Sequence, residues 1–251
     1  MRPHHHQNPN YIHHQSTTIG STIREVVFGL EDGMVSTFGS ITGIAAATQD
    51  PFTILLAGSV IIGVESISMA VGSYVSSKSA QSIDARMLAE EREEIHNHPE
   101  EEERELVGMY VKDGWSESLA VKMAAEASQD KELILKEIAY RELGVIPGKA
   151  ENPIRNGFLM GIAYIVGGAI PLMPYIIFST ISTAIWTSVV VSLVGLFLLG
   201  AGVTKYTKRS ALRAGLEMLI LAGLAGTVGY IVGQLMSGWM GEDKKRTCFH
   251  N

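Results

Sequence analysis

The sequence predicts an all-α integral membrane bundle. It has five transmembrane helices per chain, with a cytoplasmic helical metal-binding module inserted between the second and the third. Three observations predict it. Several apolar runs reach the roughly 20 residues a helix needs to cross a hydrocarbon core. The acids are segregated: positions 81–151 hold 18 of the 26 Asp and Glu but only 9 of the 20 Lys and Arg, while the rest of the chain is slightly positive and very apolar. Within that acidic block glutamates recur in spaced pairs, a pattern suited to handling cations at a membrane.

The elements follow in order. Residues 1–21 read as a disordered polar tail whose His4, His5, His6, His13 and His14 are candidate metal ligands of lower rank. No apolar stretch or small-residue cleavage site marks that tail as a signal peptide. The first span runs from about Thr22 to Thr48, and Asp50-Pro51 makes the turn. The second begins near Phe52, ends near Lys78 and continues into solvent as a helix to about Ile95, so that spans one and two occupy 22–80. Pro99 breaks this helix and opens the next, because its missing N–H is tolerated in a first turn. Glu100 to Glu103 then put negative charge where the helix dipole favours it. Gly114 stops that helix. Ser116 and Ser118 offer caps for one through about Ala127, and Ser128 or Asp130 for another that ends at Gly144. Leu106, Met109, Leu119, Met123, Leu133, Ile134 and Ile138 supply an inner face for this 81–151 module. Spans three to five fill 152–237: Pro153 to about Phe178, Ala184 to Thr204, and a last one to about Met236, with a polar tail at 238–251.

Arg24, Lys78, Arg155 and the cluster Lys205, Lys208, Arg209 and Arg213 fall on one side of a five-helix alternation, and the loops on the other side carry no Lys or Arg. Positive residues near helix ends favour the cytoplasm. The N-terminus and the acidic module are therefore expected to be cytoplasmic, in a multi-pass protein of a prokaryotic cell membrane or a vacuolar membrane. The many glycines in the spans let helix backbones approach closely. The negative charge argues against nucleic acid as a partner, and the lone Cys248 excludes an internal disulfide. There is no GxSxG, P-loop or HExxH, so no enzyme and no ATP hydrolysis is expected.

Glu91 with Glu94, and Glu102 with Glu105, are each spaced i, i+3, which puts both carboxylates of a pair on one helix face. Like charges there repel unless a cation bridges them. Pro99 lies between the pairs, so the two helices can fold back and converge into an oxygen-rich site for hard or borderline divalent cations. Glu142 offers a fifth carboxylate, and His96 and His98 sit in the turn; the alternative is a solvated acidic surface. Asp32 in the first span and Glu65 deep in the second are acids at membrane depth, which usually face a pathway. Met69 lies one turn after Glu65, and carboxylate with thioether suits a borderline transition metal. Such carboxylates also carry protons, so proton antiport is expected.

These residues resemble a known family, the vacuolar iron transporters, which include the yeast vacuolar Fe/Mn transporter and nodulin-21-like proteins. Gly29-Leu30-Glu31-Asp32-Gly33 is similar to the family's G-x-x-D-G, and Ser68-Met69-Ala70-Val71-Gly72-Ser73-Tyr74 to its S-M-x-x-G-x-Y. Pro171-Leu172-Met173-Pro174-Tyr175 is similar to its P-L-x-P-Y. Glu91, Glu94, Glu102 and Glu105 fall at the spacing of its cytoplasmic metal-binding glutamates, and Glu142 matches the last of them. The chain departs at Ile61, where the family often carries an acid; Glu65, one turn on, is the candidate substitute. The resemblance covers about residues 22–237. It implies a homodimer in membrane lipid that moves Fe²⁺, and Mn²⁺, out of the cytoplasm in exchange for protons. It implies a pore between subunits lined by Asp32 and Met69, and no prosthetic group. The competing expectation is a membrane-anchored iron-binding, storage or sensing protein without transport.

Overall fold

The computed structural model describes residues 18–48, 50–148, 151–207 and 209–248, with side chains between 20 and 236. The N-terminal histidines lie outside these residues. In chain order the elements are α1 (Thr18–Ala47), α2 (Pro51–Asn97), α3 (Pro99–Lys112), α4 (Glu117–Ala127), α5 (Lys131–Ile138), a π turn (Ala139–Leu143), α6 (Pro153–Ile177), α7 (Ile181–Thr207) and α8 (Ala211–Cys248). All are helical, and the described residues contain no strand. α2 is a single helix of 47 residues. Nothing between Phe52 and His96 breaks it: there is no proline, and its glycines fall singly. α8 continues to Cys248, into the stretch the sequence sets apart as a polar tail.

Among the described residues four helices are long and apolar enough to cross a membrane: α2, α6, α7 and α8. The first of the five expected spans is not among them. α1 has the length, at 30 residues, but carries Arg24, Glu25, Glu31 and Asp32 within its first half.

The chain divides into two compact units, one ending at Val71 and resuming at Asn156, the other Gly72–Arg155. The second unit thus begins inside the stretch assigned to the second span.

In the first unit α1 packs against α7 and α8, and α7 against α8. Ile41, Ala45, Ile54, Ile62, Leu172, Tyr175 and Ala184 form one core cluster, drawn from α1, α2, α6 and α7. The α1–α8 seam is so close that a Cβ on Gly229 or Gly233 would collide with the carbonyl oxygens of Gly39 or Gly43. Backbone contact of this kind replaces the hydrophobic effect, which lipid does not supply. α6 runs through Pro171 and Pro174 without ending, and the Ser188 hydroxyl of α7 donates to the Pro171 carbonyl at 2.7 Å. That bond ties α7 to α6 at the level of the prolines.

The second unit has its own core: Ile95, Leu106, Tyr110, Ala120, Ala124, Ala127, Ile134, Leu135 and Ile138. Each large apolar side chain buried there contributes about 1.5–3 kcal/mol. Met109 and Met123 pack on its edge, whereas Leu119 and Leu133, expected inside, are exposed. Pro99 opens α3, with Glu100, Glu101 and Glu102 in its first turn. Gly114 ends the following turn at φ +100°, a left-handed conformation that glycine adopts without strain. Ser116 stands at the N-cap of α4 but its side chain makes no cap bond. Asp130, by contrast, caps α5 by accepting from the Glu132 N–H at 2.9 Å.

Candidate metal centre

The last turns of α2 carry Glu91 and Glu94, and the first turns of α3 carry Glu102 and Glu105. His98 alone separates the two helices, so Pro99 turns the chain back and the two acidic faces meet. Carboxylate oxygens of Glu91, Glu94 and Glu102 all lie within 4.8 Å of one another. Glu91 and Glu102 are buried, 5% and 7% exposed, while Glu94 stays at the surface. Burial of two acids side by side is costly unless something compensates their charge.

The electrostatics extend the group to five. Burial first, then repulsion from Glu102 and Glu142, pushes the Glu91 carboxyl up to about 8. Its protonated form donates a hydrogen bond to Glu102. Glu102 is also raised, first by burial and then by Glu105, Glu94 and Glu142, with the bond from Glu91 pulling the other way. Glu142, at the rim, is raised by burial and by Glu105 and Glu94. Glu91 Oε1 is buried with no hydrogen-bond partner. Buried acceptors are nearly always satisfied, so an unpaired one among carboxylates is a candidate cation ligand. All donors are carboxylate oxygens, a set for hard or borderline divalent cations. The turn histidines stay out of the group: His96 Nδ1 faces Lys131 Nζ at 3.1 Å, and His98 faces Glu101 at 3.7 Å.

In the first unit Asp32 of α1 and Glu65 of α2 are close enough to repel one another electrostatically. Tyr164 of α6 feels both charges, and its buried hydroxyl is hydrogen-bonded to Ser36, one turn beyond Asp32. Gly33 makes this approach possible, since a Cβ there would run into the Tyr164 carbonyl. Asp32 is half-buried, Glu65 is exposed in the single chain, and Met69, one turn on, is half-buried. Glu217 lies apart, paired with Arg209 at 3.0 Å. Sequence reasoning missed Tyr164. Its signal was a phenol in an apolar helix, which needs a polar partner when buried.

Apolar helices of spanning length, with carboxylates gathered both among them and in a compact helical unit, define a multi-pass membrane protein equipped for cations. The sequence matches the model of the VIT family over residues 23–234, and the chain belongs to that family. "Vacuolar iron transporter 1" of Arabidopsis thaliana is 26% identical over 219 residues, covering 87% of this chain and 88% of the relative. "Vacuolar iron transporter" of Toxoplasma gondii is 30% identical over 230 residues, 88% of this chain and 76% of the relative. The Plasmodium berghei protein of the same name is 26% identical over 247 residues, 94% and 89% of the two chains. The family is one of transporters, not of enzymes.

Proposed function

We propose that the protein moves Fe²⁺, and Mn²⁺, out of the cytoplasm in exchange for protons, with Glu91, Glu94, Glu102, Glu105 and Glu142 collecting the metal and Asp32, Glu65 and Met69 lining its path. The observation that carries this reading is the buried, unpartnered Glu91 Oε1 beside Glu94 and Glu102. The names of the relatives support iron as cargo. The domain plan is five spans at 22–80 and 152–237, with a cytoplasmic module at 81–151 and polar tails at 1–21 and 238–251. α1 is the first of these spans and adds to the four more apolar helices: its contacts with α7 and α8 support placing it in the membrane despite its charges.

Exposure of Glu65 supports a homodimer. A charge at the bilayer centre costs several kcal/mol, so acids at that depth face protein or water rather than lipid. In one chain Glu65 and Ser68 are uncovered, and Gly72, two turns on along the same face of the helix, meets nothing. A second copy against this face of α2 would enclose the carboxylates in a pore between subunits.

Reconstitution in proteoliposomes with a pH gradient tests the proposal. Fe²⁺ uptake is expected to depend on the gradient and to require Asp32. Uptake by Asp32→Ala at the parent rate would remove the pathway, and uptake without a gradient would remove the coupling.

A further inference from the structure

The π turn that carries Glu142 is also held by a second polar group, built around the residue just before it. Arg141 is the residue before Glu142, and its side chain is only 17% exposed. Its Nε donates to Asp113 Oδ2 at 3.0 Å, and its Nη1 to Glu137 Oε2 at 2.6 Å and to the Glu137 carbonyl at 3.2 Å. The guanidinium lies 4.4 Å from the centroid of the Tyr110 ring. The Tyr110 hydroxyl donates to the same Glu137 oxygen at 3.0 Å, and the ring is buried in the unit's core. One guanidinium thus ties the end of α5 to the C-terminal end of α3, the helix whose first turns hold Glu102 and Glu105.

Two features make this arrangement more than packing. The chain leaves α-helical geometry at this point: Ala139–Leu143 form a π turn, and the Val145 N–H reaches back to the Ala139 carbonyl at 3.0 Å. A π turn inserts one residue per turn, re-aims the side chains it carries, and occurs frequently at functional sites. Glu142 is also repelled by Glu105 and Glu94. Without a restraint, that repulsion would swing the turn outward into water.

We propose that Arg141 is a positioning residue for the metal site: its ion pairs with Glu137 and Asp113 and its stacking on Tyr110 hold the π turn so that Glu142 faces the other four glutamates. The proposal rests on those glutamates binding metal. Lysine would not replace it, because a point charge lacks the planar fork that reaches two acceptors and stacks on a ring.

The test is Mn²⁺ titration calorimetry on the purified full-length protein at one pH, with a double-mutant cycle. Partners that orient a metal ligand typically carry about 10–100-fold in affinity, so Arg141→Met is expected to weaken binding about tenfold and Arg141→Lys nearly as much. Glu142→Gln weakens the parent but adds nothing in the Arg141→Met background, since a misplaced ligand has nothing left to lose. Losses that simply multiply, or parent affinity in Arg141→Met, would overturn the proposal. Glu102→Ala separates the two levels. If it binds as the parent does, the glutamates are not the site and this inference falls with them. If it loses binding while Arg141→Met does not, only the positioning role fails. Should Arg141→Met fail to fold, Asp113→Asn and Glu137→Gln each remove one ion pair of Arg141. Weaker binding at an unchanged melting temperature supports the role, and unchanged binding in both refutes it.

Discussion

The glutamate group of the second unit and the carboxylates of the first are built in opposite ways. Glu91 and Glu102 are enclosed by one chain, between α2 and α3, over a core that includes Ile95 and Leu106. Asp32 and Glu65 are brought together too, but Glu65 remains exposed. The first group is gathered within a single copy. The second is open on one side in a single chain. A site that must hold an ion benefits from several convergent ligands. A path that must release it benefits from fewer, placed where water and a moving cation can reach them. The two regions therefore fit capture and passage, and mutations can separate them.

The largest expected effect is on passage. Asp32→Ala should reduce Fe²⁺ uptake by about 100-fold, a barrier increase of about 2.7 kcal/mol at 1.36 kcal/mol per tenfold, because it removes a carboxylate at membrane depth, where acids carry function. The same variant should bind Mn²⁺ with the parent's affinity when titrated in micelles. If binding falls with transport, the two regions are one site and the contrast fails.

Next in size is capture. Glu102→Ala removes a buried ligand and leaves Glu91 without its acceptor. Mn²⁺ affinity should fall by several tens of fold, toward the upper end of the roughly 10–100-fold that even outer partners of a metal site contribute. Uptake at high metal concentration should persist at a reduced rate, since the path is intact. Complete loss of uptake at saturating metal would show that capture and passage cannot be divided.

The pH dependence sharpens the contrast further. Metal requires ionised Glu91, whose carboxyl is raised from 4.5 to about 8. Below pH 8 each ion bound there displaces a proton, so affinity should fall by up to about tenfold per pH unit as pH drops from 8 to 6. The stability of the metal-free protein moves the other way. A raised value means that the folded state binds the proton more tightly than the unfolded chain. This contribution is therefore fully present below about pH 4.5 and is lost as pH rises to 8. Melting curves without metal should shift down over that range, and Mn²⁺ should rescue most at pH 8. A flat affinity between pH 6 and 8 would remove Glu91 from the ligand set.

Much of this was legible in the sequence because local rules decide it. Pro99 can only end one helix and begin another, so the meeting of Glu91 and Glu94 with Glu102 followed from spacing. Lys78 to Ile95 contains no breaker, and α2 runs through it. The parts that were not legible depend on tertiary choice. Leu119 and Leu133 fit a helical stripe, yet the short α4 and α5 bury alanines and isoleucines instead. Ser116 has the residue type of a cap but not the bond. The π turn has no periodic signature, and nothing in the sequence around Arg141 shows its partners. Its partners, Asp113 and Glu137, lie 28 and 4 residues away, and only packing of Tyr110 brings them together. α1 shows the reverse case: its acids, the clue to a pathway, are what separate it from the four more apolar helices.

The smallest expected effect concerns the residue that ends the π turn. Gly144 has φ +66°, and a Cβ there would touch nothing within 4 Å. Its requirement is therefore backbone strain alone, with no steric part. Alanine in the left-handed region costs roughly 1–2 kcal/mol, and asparagine less because its side chain tolerates that conformation. Gly144→Ala should lower the melting temperature of the metal-free protein by a few degrees, with Gly144→Asn between it and the parent. Mn²⁺ affinity should change by only a few-fold, because the ion pairs of Arg141 still restrain the turn at the other side of Glu142. An affinity loss as large as that of Arg141→Met would mean that the glycine, and not the arginine, sets the position of Glu142. The complete capture site would then depend on a turn rather than on an ion pair.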